Sequence, residues 1–292
     1  MRTALNSYIN CLLTVLGLVL LSSSLGSCGS SQSKPPTPPV ASGSVKTTNN
    51  KAYRTPALHG PVPRNPDMTL RDDFAKGPRV SFSRVPVSDK YIAITFDDGP
   101  HPQNTPRLLD MLRARNIKAT FYMVGSNVDL YPQVVRRVVA EGHEIGNHSY
   151  THRLFSKMSD SDIRQELTRT RDAVVRAAGV QPRTLRPPYG GMLQHQREWV
   201  NAEFGYPIIL WSVDPLDWKR PGSSAVCSRI LSSTTAGSIV LAHDLHRQTV
   251  DAMPATLDGL LQRGFKFVTV SQLLAMQAEP ATAHLAAGMT AH

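Results

Sequence analysis

The chain has 292 residues, 41% of them hydrophobic and 18% charged, the composition of an ordinary globular protein with room for one large domain or two small ones. Its net charge of +10 is unevenly spread: from Lys34 to Lys90 ten Lys or Arg stand against four Asp or Glu, and no nucleic-acid recognition motif accompanies them, so no nucleic-acid partner is expected. Three cysteines, Cys11, Cys28 and Cys227, have neither zinc-finger nor redox spacing and exclude a disulfide framework by number.

The chain opens with Arg2 and an apolar run from Cys11 to Leu21, too short to span a bilayer comfortably. Leu25-Gly26-Ser27-Cys28 follows at the right distance and resembles a bacterial lipobox, in which the cysteine is lipidated and becomes the new N-terminus. Residues 1–27 therefore read as a lipoprotein signal peptide, and the mature protein as exported and lipid-anchored to a bacterial membrane, facing the periplasm or cell wall. The simpler alternative is an ordinary signal peptide with Cys28 incidental. Over 28–79 prolines (Pro35, Pro36, Pro38 and Pro39) and then Ser, Thr, Asn and Gly dominate, with too few apolar residues to offset ordering entropy. This segment reads as a largely disordered basic tether, and 278–292 as a disordered tail. The catalytic domain is expected over 80–277.

From Val80 onward strands and helices alternate. Tyr91–Phe96 is β-rich and ends at Asp97-Asp98-Gly99; Thr105 and Pro106 suit a helix start with Leu108, Leu109 and Leu112 on one face. Ala119–Val124 reads as a strand, Pro132–Glu141 as a helix stopped by Gly142, and Glu144–Asn147 as a short strand leading to His148. Ser159 starts a long helix, with Ile163, Leu167, Val174 and Ala178 inward, that ends at Gly179. Further strands are expected at 184–186, 208–213, 238–242 and 267–270. The helices between them carry Trp199, then Val226 and Ile230 with Cys227 as a small core residue, then Leu257, Leu260 and Leu261. The repeated β–α order implies a parallel sheet, and periodicity leaves open whether it closes.

Polar clusters fall just after these strands, where the sites of β/α barrels gather. Asp97 and Asp98 are adjacent carboxylates that repel and are offset well by a cation, although Asp-Asp-Gly-Pro is also good turn chemistry. His148 and His152 face the same way if their segment is helical, and with Asp98 make a two-histidine, one-carboxylate set with open positions for a catalytic metal. The same set would suit an Fe(II) oxygenase. Arg186-Pro187-Pro188-Tyr189-Gly190 is a rigid loop able to fix backbone amides as donors, or simply a structural turn. Asp214, Asp217 and Trp218 read equally as helix caps and core, and His243-Asp244 follows an apolar strand.

Taken together, TFDDG at 95–99, HSYTH at 148–152, RPPYG at 186–190, DPLDW at 214–218 and LAHD at 241–244 resemble, in order, the five motifs of the polysaccharide deacetylase (NodB homology, carbohydrate esterase family 4) family. The resemblance covers about residues 80–275. It implies an α/β fold, a distorted (β/α) barrel, and one divalent metal, zinc first and cobalt or another ion next. It also implies removal of acetyl groups from a sugar polymer, and argues against the Fe(II) oxygenase. Carried over residue by residue, it implies Asp98, His148 and His152 as metal ligands and Asp97 as general base, paired with Arg186. His243 is then the general acid, oriented by Asp217, and the Tyr189 amide helps the oxyanion. Tyr189, Trp218 and Leu241 wall the acetyl pocket. Asp214 is given no firm role, and Asp244, His101 and His246 are left as structural. An envelope lipoprotein meets peptidoglycan, which makes its N-acetylglucosamine the first expected substrate. Chitin oligomers and poly-N-acetylglucosamine follow. The alternative of another class is a glycan-binding module without catalysis.

Overall fold

A computed structural model describes residues 79–277. The expected signal peptide, Cys28, the tether up to residue 78 and the 278–292 tail lie outside the described residues. Seven strands are described: β1 (Ser81–Phe82), β2 (Tyr91–Asp97), β3 (Thr120–Met123), β4 (Glu144–Asn147), β5 (Ile208–Ile209), β6 (Ile239–His243) and β7 (Lys266–Phe267). Their ladders are parallel throughout. β2 sits between β3 and β6, and β4 continues the sheet beyond β3. From there single bridges carry the path onward: Asn147 to Leu185, Leu185 to Ile208, and Val213 back to Val240 of β6. The sheet is thus a ring, closed through an irregular seam.

The seam explains why two expected strands shrink. Segment 184–186 makes bridges only at Leu185, and segment 208–213 keeps two-residue β5 and the bridge at Val213. Pro187, Pro188, Pro207 and Pro215 flank these pieces, and a proline neither donates to a ladder nor leaves its predecessor free. The carbonyls of Ile209 and Leu210 accept instead from the Arg186 guanidinium, at 3.3 and 3.1 Å.

Alternation along β2 divides the interior. Ile92, Ile94 and Phe96 face outward into the main core. There they meet Leu108, Leu109 and Leu112 of α1 (Asn104–Ala114), and residues of α3 (Pro132–Ala140), α4 (Asp160–Ala178), α6 (Ser223–Ser233) and α7 (Arg247–Gln262). Each such side chain contributes about 1.5–3 kcal/mol by leaving water. Ala93 belongs to a second cluster with Tyr122, Ile209 and Ile239, so Thr95 and Asp97 point the same way, into the ring. Helices α2 (Gly125–Leu130), α5 (Gln194–Phe204) and α8 (Val270–Ala275) complete the order. Ser159 caps α4 by accepting from the Asp162 amide, and Gly179 ends it in the left-handed region that its missing Cβ permits.

Three local expectations are corrected. Thr105 does not cap α1, which begins at Asn104 without a side-chain cap; its hydroxyl accepts from the His101 amide and bonds to Asp244. Val270 opens α8 rather than closing a strand, because the Thr269 hydroxyl caps the helix there. Leu261 is 39% exposed, one step off the inward face set by Leu257 and Leu260.

Gly146 in β4 has no room for a side chain. A Cβ there would lie 2.3 Å from two carbons of the Tyr122 ring. That ring is fully buried, with the Arg186 guanidinium carbon 4.2 Å from its centroid, and has nowhere to go. Gly146→Ala is expected to cost about 1–3 kcal/mol in urea unfolding, the usual range for overpacking. An unchanged midpoint would mean that the tyrosine moves freely.

Candidate active site

The motif residues meet at the C-terminal ends of the strands. Asp97 is the last residue of β2 and points into the ring. By alternation Asp98 would point out, but its φ of +72° turns it back, so both carboxylates face one place. His148 Nε2 lies 3.7 Å from Asp97 Oδ2 and 3.4 Å from Asp98 Oδ1, and His152 Nε2 lies 3.1 Å from the same Asp98 oxygen.

His148 and His152 do not share a helical face, as their spacing suggests. Their segment is irregular, and left-handed conformations at Ser149 (φ +62°) and His152 (φ +58°) fold the second ring onto the first, with centroids 4.9 Å apart. The loop's amides are held by side chains. Asn147 Oδ1 accepts from Ser149 N, Ser149 Oγ from His152 N, and Glu166 Oε2 from both Tyr150 N and Thr151 N.

One donor atom each from Asp98, His148 and His152 lies within 4.8 Å of the other two. His148 Nδ1 stands 2.7 Å from the Arg186 carbonyl, which only accepts, so Nδ1 carries the proton and Nε2 can turn a lone pair toward Asp98. Asp98 Oδ1 is buried and accepts no hydrogen bond. Burial alone would push Asp98 up, yet His148 and His152 hold it well below the usual carboxylate range. The three groups therefore demand a shared positive charge, either a proton on an imidazole or a cation. A divalent ion fits: two imidazole nitrogens and one carboxylate oxygen, with positions left open, are what a catalytic zinc or similar metal takes.

Arg186 is fully buried. It donates to Asp97 Oδ1 at 2.7 Å and Thr95 Oγ1 at 2.6 Å, leaving Asp97 Oδ2 on the metal-ligand side. Across the ring, His243 ends β6 with Nδ1 2.8 Å from Asp217 Oδ1. Asp217 is further fixed by the amides of His243 and Trp218 and by the Thr249 hydroxyl, at 2.8, 3.0 and 2.8 Å. Burial lowers the His243 pKa, but the Asp217 carboxylate, with Asp98 and Asp97, raises it to about 10; Asp217 is itself held down against its burial by that histidine. Tyr189, with φ +60°, sets its ring 4.7 Å from His152, and the following Gly190 and Gly191 amides are committed to Pro187 and Pro188. Leu241 lies two residues before His243 on the same inward face, and Trp218 adjoins Asp217. Asp214 accepts from the Leu216 amide and is pushed up by burial.

The residues set aside as structural lie beside the site. His101 Nδ1 accepts from the Gln103 and Asn104 amides at the start of α1. His246 lies 6.2 Å from His243, its pKa lowered by burial. Asp244 is fully buried and raised by that burial to about 7, bonded to Thr105. Thr249, Asn147 and Glu166 escaped the sequence reading, and Thr95 entered it only as the first residue of its motif. The available signal was a polar residue on an apolar helix face: Glu166 falls between inward Ile163, Leu167 and Thr170. A groove of about 850 Å³ beside the start of β4, lined by His143, Arg183 and Gln272 among others, holds none of the motif residues.

This electrostatic arrangement has a spectroscopic consequence. In metal-free protein His243 should titrate near 10 by imidazole NMR, keeping its proton through neutral pH and losing it as pH climbs through that value. Asp217→Asn should lower that pKa. Added divalent ion should lower it too, by offsetting Asp98 and Asp97. Titration at the ordinary histidine value in the wild type would mean that the Asp217 pair does not form.

The polysaccharide deacetylase family model matches residues 84–209. The peptidoglycan-N-acetylglucosamine deacetylase PgdA of Listeria monocytogenes is 41% identical over 186 residues, 64% of this chain, and the chain spans only 39% of that protein's length. The solved structure of the Bc1960 peptidoglycan N-acetylglucosamine deacetylase superposes with a TM-score of 0.65 at 34% identity, covering 69% of this chain and 96% of that one. A peptidoglycan-N-acetylglucosamine deacetylase of Bacillus cereus is 35% identical over 225 residues, 73% of this chain and 81% of its own. Likeness on that scale reaches past the motifs to the whole ring of strands, and the chain belongs to the polysaccharide deacetylase family.

Proposed function

We propose that the chain hydrolyses the N-acetyl groups of N-acetylglucosamine residues in peptidoglycan, using one divalent metal held by Asp98, His148 and His152. The observation that carries this reading is the disposition of proton-transfer groups around the metal-ligand set. A carboxylate oxygen, Asp97 Oδ2, lies on one side, and a carboxylate-paired histidine, His243, ends a neighbouring strand. A bound divalent ion, zinc first and cobalt or another next, would polarise the acetyl carbonyl and acidify water.

The chain's own groups divide the remaining work. Asp97 Oδ2 takes the proton from the attacking water, while Arg186 holds the other oxygen and fixes the carboxylate's aim. The Tyr189 amide donates to the oxygen that becomes negative. His243, its Nδ1 engaged by Asp217, presents Nε2–H to the departing nitrogen, so the C–N bond breaks to give acetic acid and the free amine. These become acetate and ammonium as the acid's proton passes to the amine, while the proton held by Asp97 restores His243. Tyr189, Trp218 and Leu241 wall the acetyl group. A glycan-binding module would have no use for a base, an acid and the buried carboxylate that keeps the acid charged.

Peptidoglycan is favoured over chitin oligomers and exported poly-N-acetylglucosamine because the similar proteins named above are peptidoglycan deacetylases. The lipobox-like Leu25-Gly26-Ser27-Cys28 adds an envelope location, with the protein anchored by lipid on Cys28.

Acetate release measured side by side on peptidoglycan, chitin oligomers and poly-N-acetylglucosamine tests the reading. Release should be fastest from peptidoglycan, cease on chelation and return with zinc or cobalt. His243→Ala should lose roughly 10²-fold or more in kcat while still binding metal. Full activity in protein shown to be metal-free would refute the mechanism, and faster release from chitin oligomers would reassign the substrate.

The anchor is tested separately. Wild-type protein should partition with membranes in its native host and incorporate labelled lipid, and Cys28→Ala should do neither. A wild-type protein found wholly soluble and unlabelled would leave an ordinary secreted enzyme.

A further inference from the structure

Glu166 lies in the middle of α4, outside all five motifs, yet it is only 6% exposed. Its carboxylate is spent entirely on the loop between the two histidines. Oε2 accepts from Tyr150 N at 2.7 Å and Thr151 N at 2.6 Å, and Oε1 accepts from the Thr151 hydroxyl at 2.7 Å. We propose that Glu166 is the positioning residue that sets the affinity of the Asp98–His148–His152 site for its metal, by holding this loop in the one conformation that brings both imidazoles to Asp98.

The loop needs such a clamp. Ser149 and His152 are both left-handed, each at a cost of about 1–2 kcal/mol for a residue with a Cβ. His152 carries its ligand nitrogen on the second of these strained residues, so relaxation of the loop moves that nitrogen directly. Four successive amides, from Ser149 to His152, are held by side chains, and two of the four end on the one Glu166 oxygen. Hydrogen bonds to a charged acceptor contribute about 1.5–3 kcal/mol each, enough to outweigh the two strained residues. The other two amide holds are short-range, Asn147 to Ser149 and Ser149 to His152, and the carbonyls of Ser149 and Tyr150 accept from Gly125 N and Ser126 N at the start of α2. Glu166 ties it to a 19-residue helix whose inner face is packed in the core. The Tyr150 side chain is seated as well: its hydroxyl donates to Asp129 of α2, and the guanidinium of Arg169, also on α4, lies 3.6 Å over its ring. A carboxylate is the right group, because both oxygens must accept; glutamine keeps one acceptor and turns an amide toward Thr151.

The inference rests on the metal-dependent reading above, so its test measures metal binding rather than turnover. Zinc and cobalt affinities would be taken by chelator competition for wild type, Glu166→Gln and Glu166→Ala. Glu203→Gln, in the exposed pair with Arg164, serves as control. The folded state of each would be checked by circular dichroism, and the cobalt absorption spectrum would report ligand geometry. Glu166→Ala should weaken binding about 10- to 100-fold, the usual loss when a partner that orients a ligand is removed, and alter the cobalt spectrum. Glu166→Gln should fall between it and wild type, and Glu203→Gln should match wild type. If Glu166→Ala does not fold, Glu166→Gln decides alone, by a loss of at least threefold. Folded variants that bind metal as tightly as wild type, whatever their melting temperature, would overturn the proposal and leave Glu166 a purely structural residue. Wild-type protein that binds neither ion would instead sink the metal-dependent reading on which it stands.

Discussion

The buried guanidinium of Arg186 is the constraint around which the domain is arranged. It has no exposure to water, and its donors go to Asp97, Thr95 and the carbonyls of Ile209 and Leu210. The last two stitch the seam, where proline-flanked segments form only single bridges and the two-residue ladder of β5 with β1. The first two fix the inward face of β2, and Tyr122 packs beneath the same group. Removing either partner of the Arg186–Asp97 pair would strand a charge in the interior, at about 3–5 kcal/mol. Closure of the ring and orientation of the Asp97 carboxylate are therefore one requirement, met by one side chain. Arg186 also lends its backbone carbonyl to His148 Nδ1, so the same residue fixes the tautomer of a metal ligand.

Much of this was legible in the sequence because the motif residues sit at strand ends, where periodicity and turn chemistry coincide. β2, β3, β4 and β6 fall within a residue or so of expectation, since each is a short apolar run bounded by turn residues. The seam was not legible: 184–186 and 208–213 look like full strands, and only tertiary competition for their carbonyls shows that they shrink to β5 and single bridges. The His148–His152 pair was read correctly as convergent but for the wrong local reason. Spacing of four suggests a helix, whereas two left-handed residues do the work, and sequence gives no sign of them because neither is glycine. Glu166 and Thr249 were invisible for a related reason. They act across 15 and 32 positions, from helices that carry no motif.

Backbone strain is concentrated where the chemistry is. Asp98, Ser149, His152, Tyr189 and Leu216 are all left-handed without being glycine, and all lie in or between motif positions. Each puts a side chain or amide where regular alternation would not, and each is held by surrounding hydrogen bonds rather than by its own preference. The site is therefore preorganised by its scaffold: the helices and the ring absorb the cost, and the loops have little freedom left to lose when a ligand arrives.

The parallel pairing of β2 with β6 bears on how the molecule comes into being. Thr95 bonds to the Val240 carbonyl across 145 positions, and every residue of β2 from Ala93 to Asp97 has a partner in β6. Synthesis runs from the N-terminus, so β2 exists long before its neighbour does. Such high contact order makes for slow folding, because loop closure precedes any gain from the contacts it allows. Until the last quarter of the chain arrives, Thr95 and Asp97 lack their wall, and His243 is not yet there to complete the centre. The domain is thus built so that Asp98, His148 and His152 are made early and His243 late, and a nascent chain carries the first three without the last.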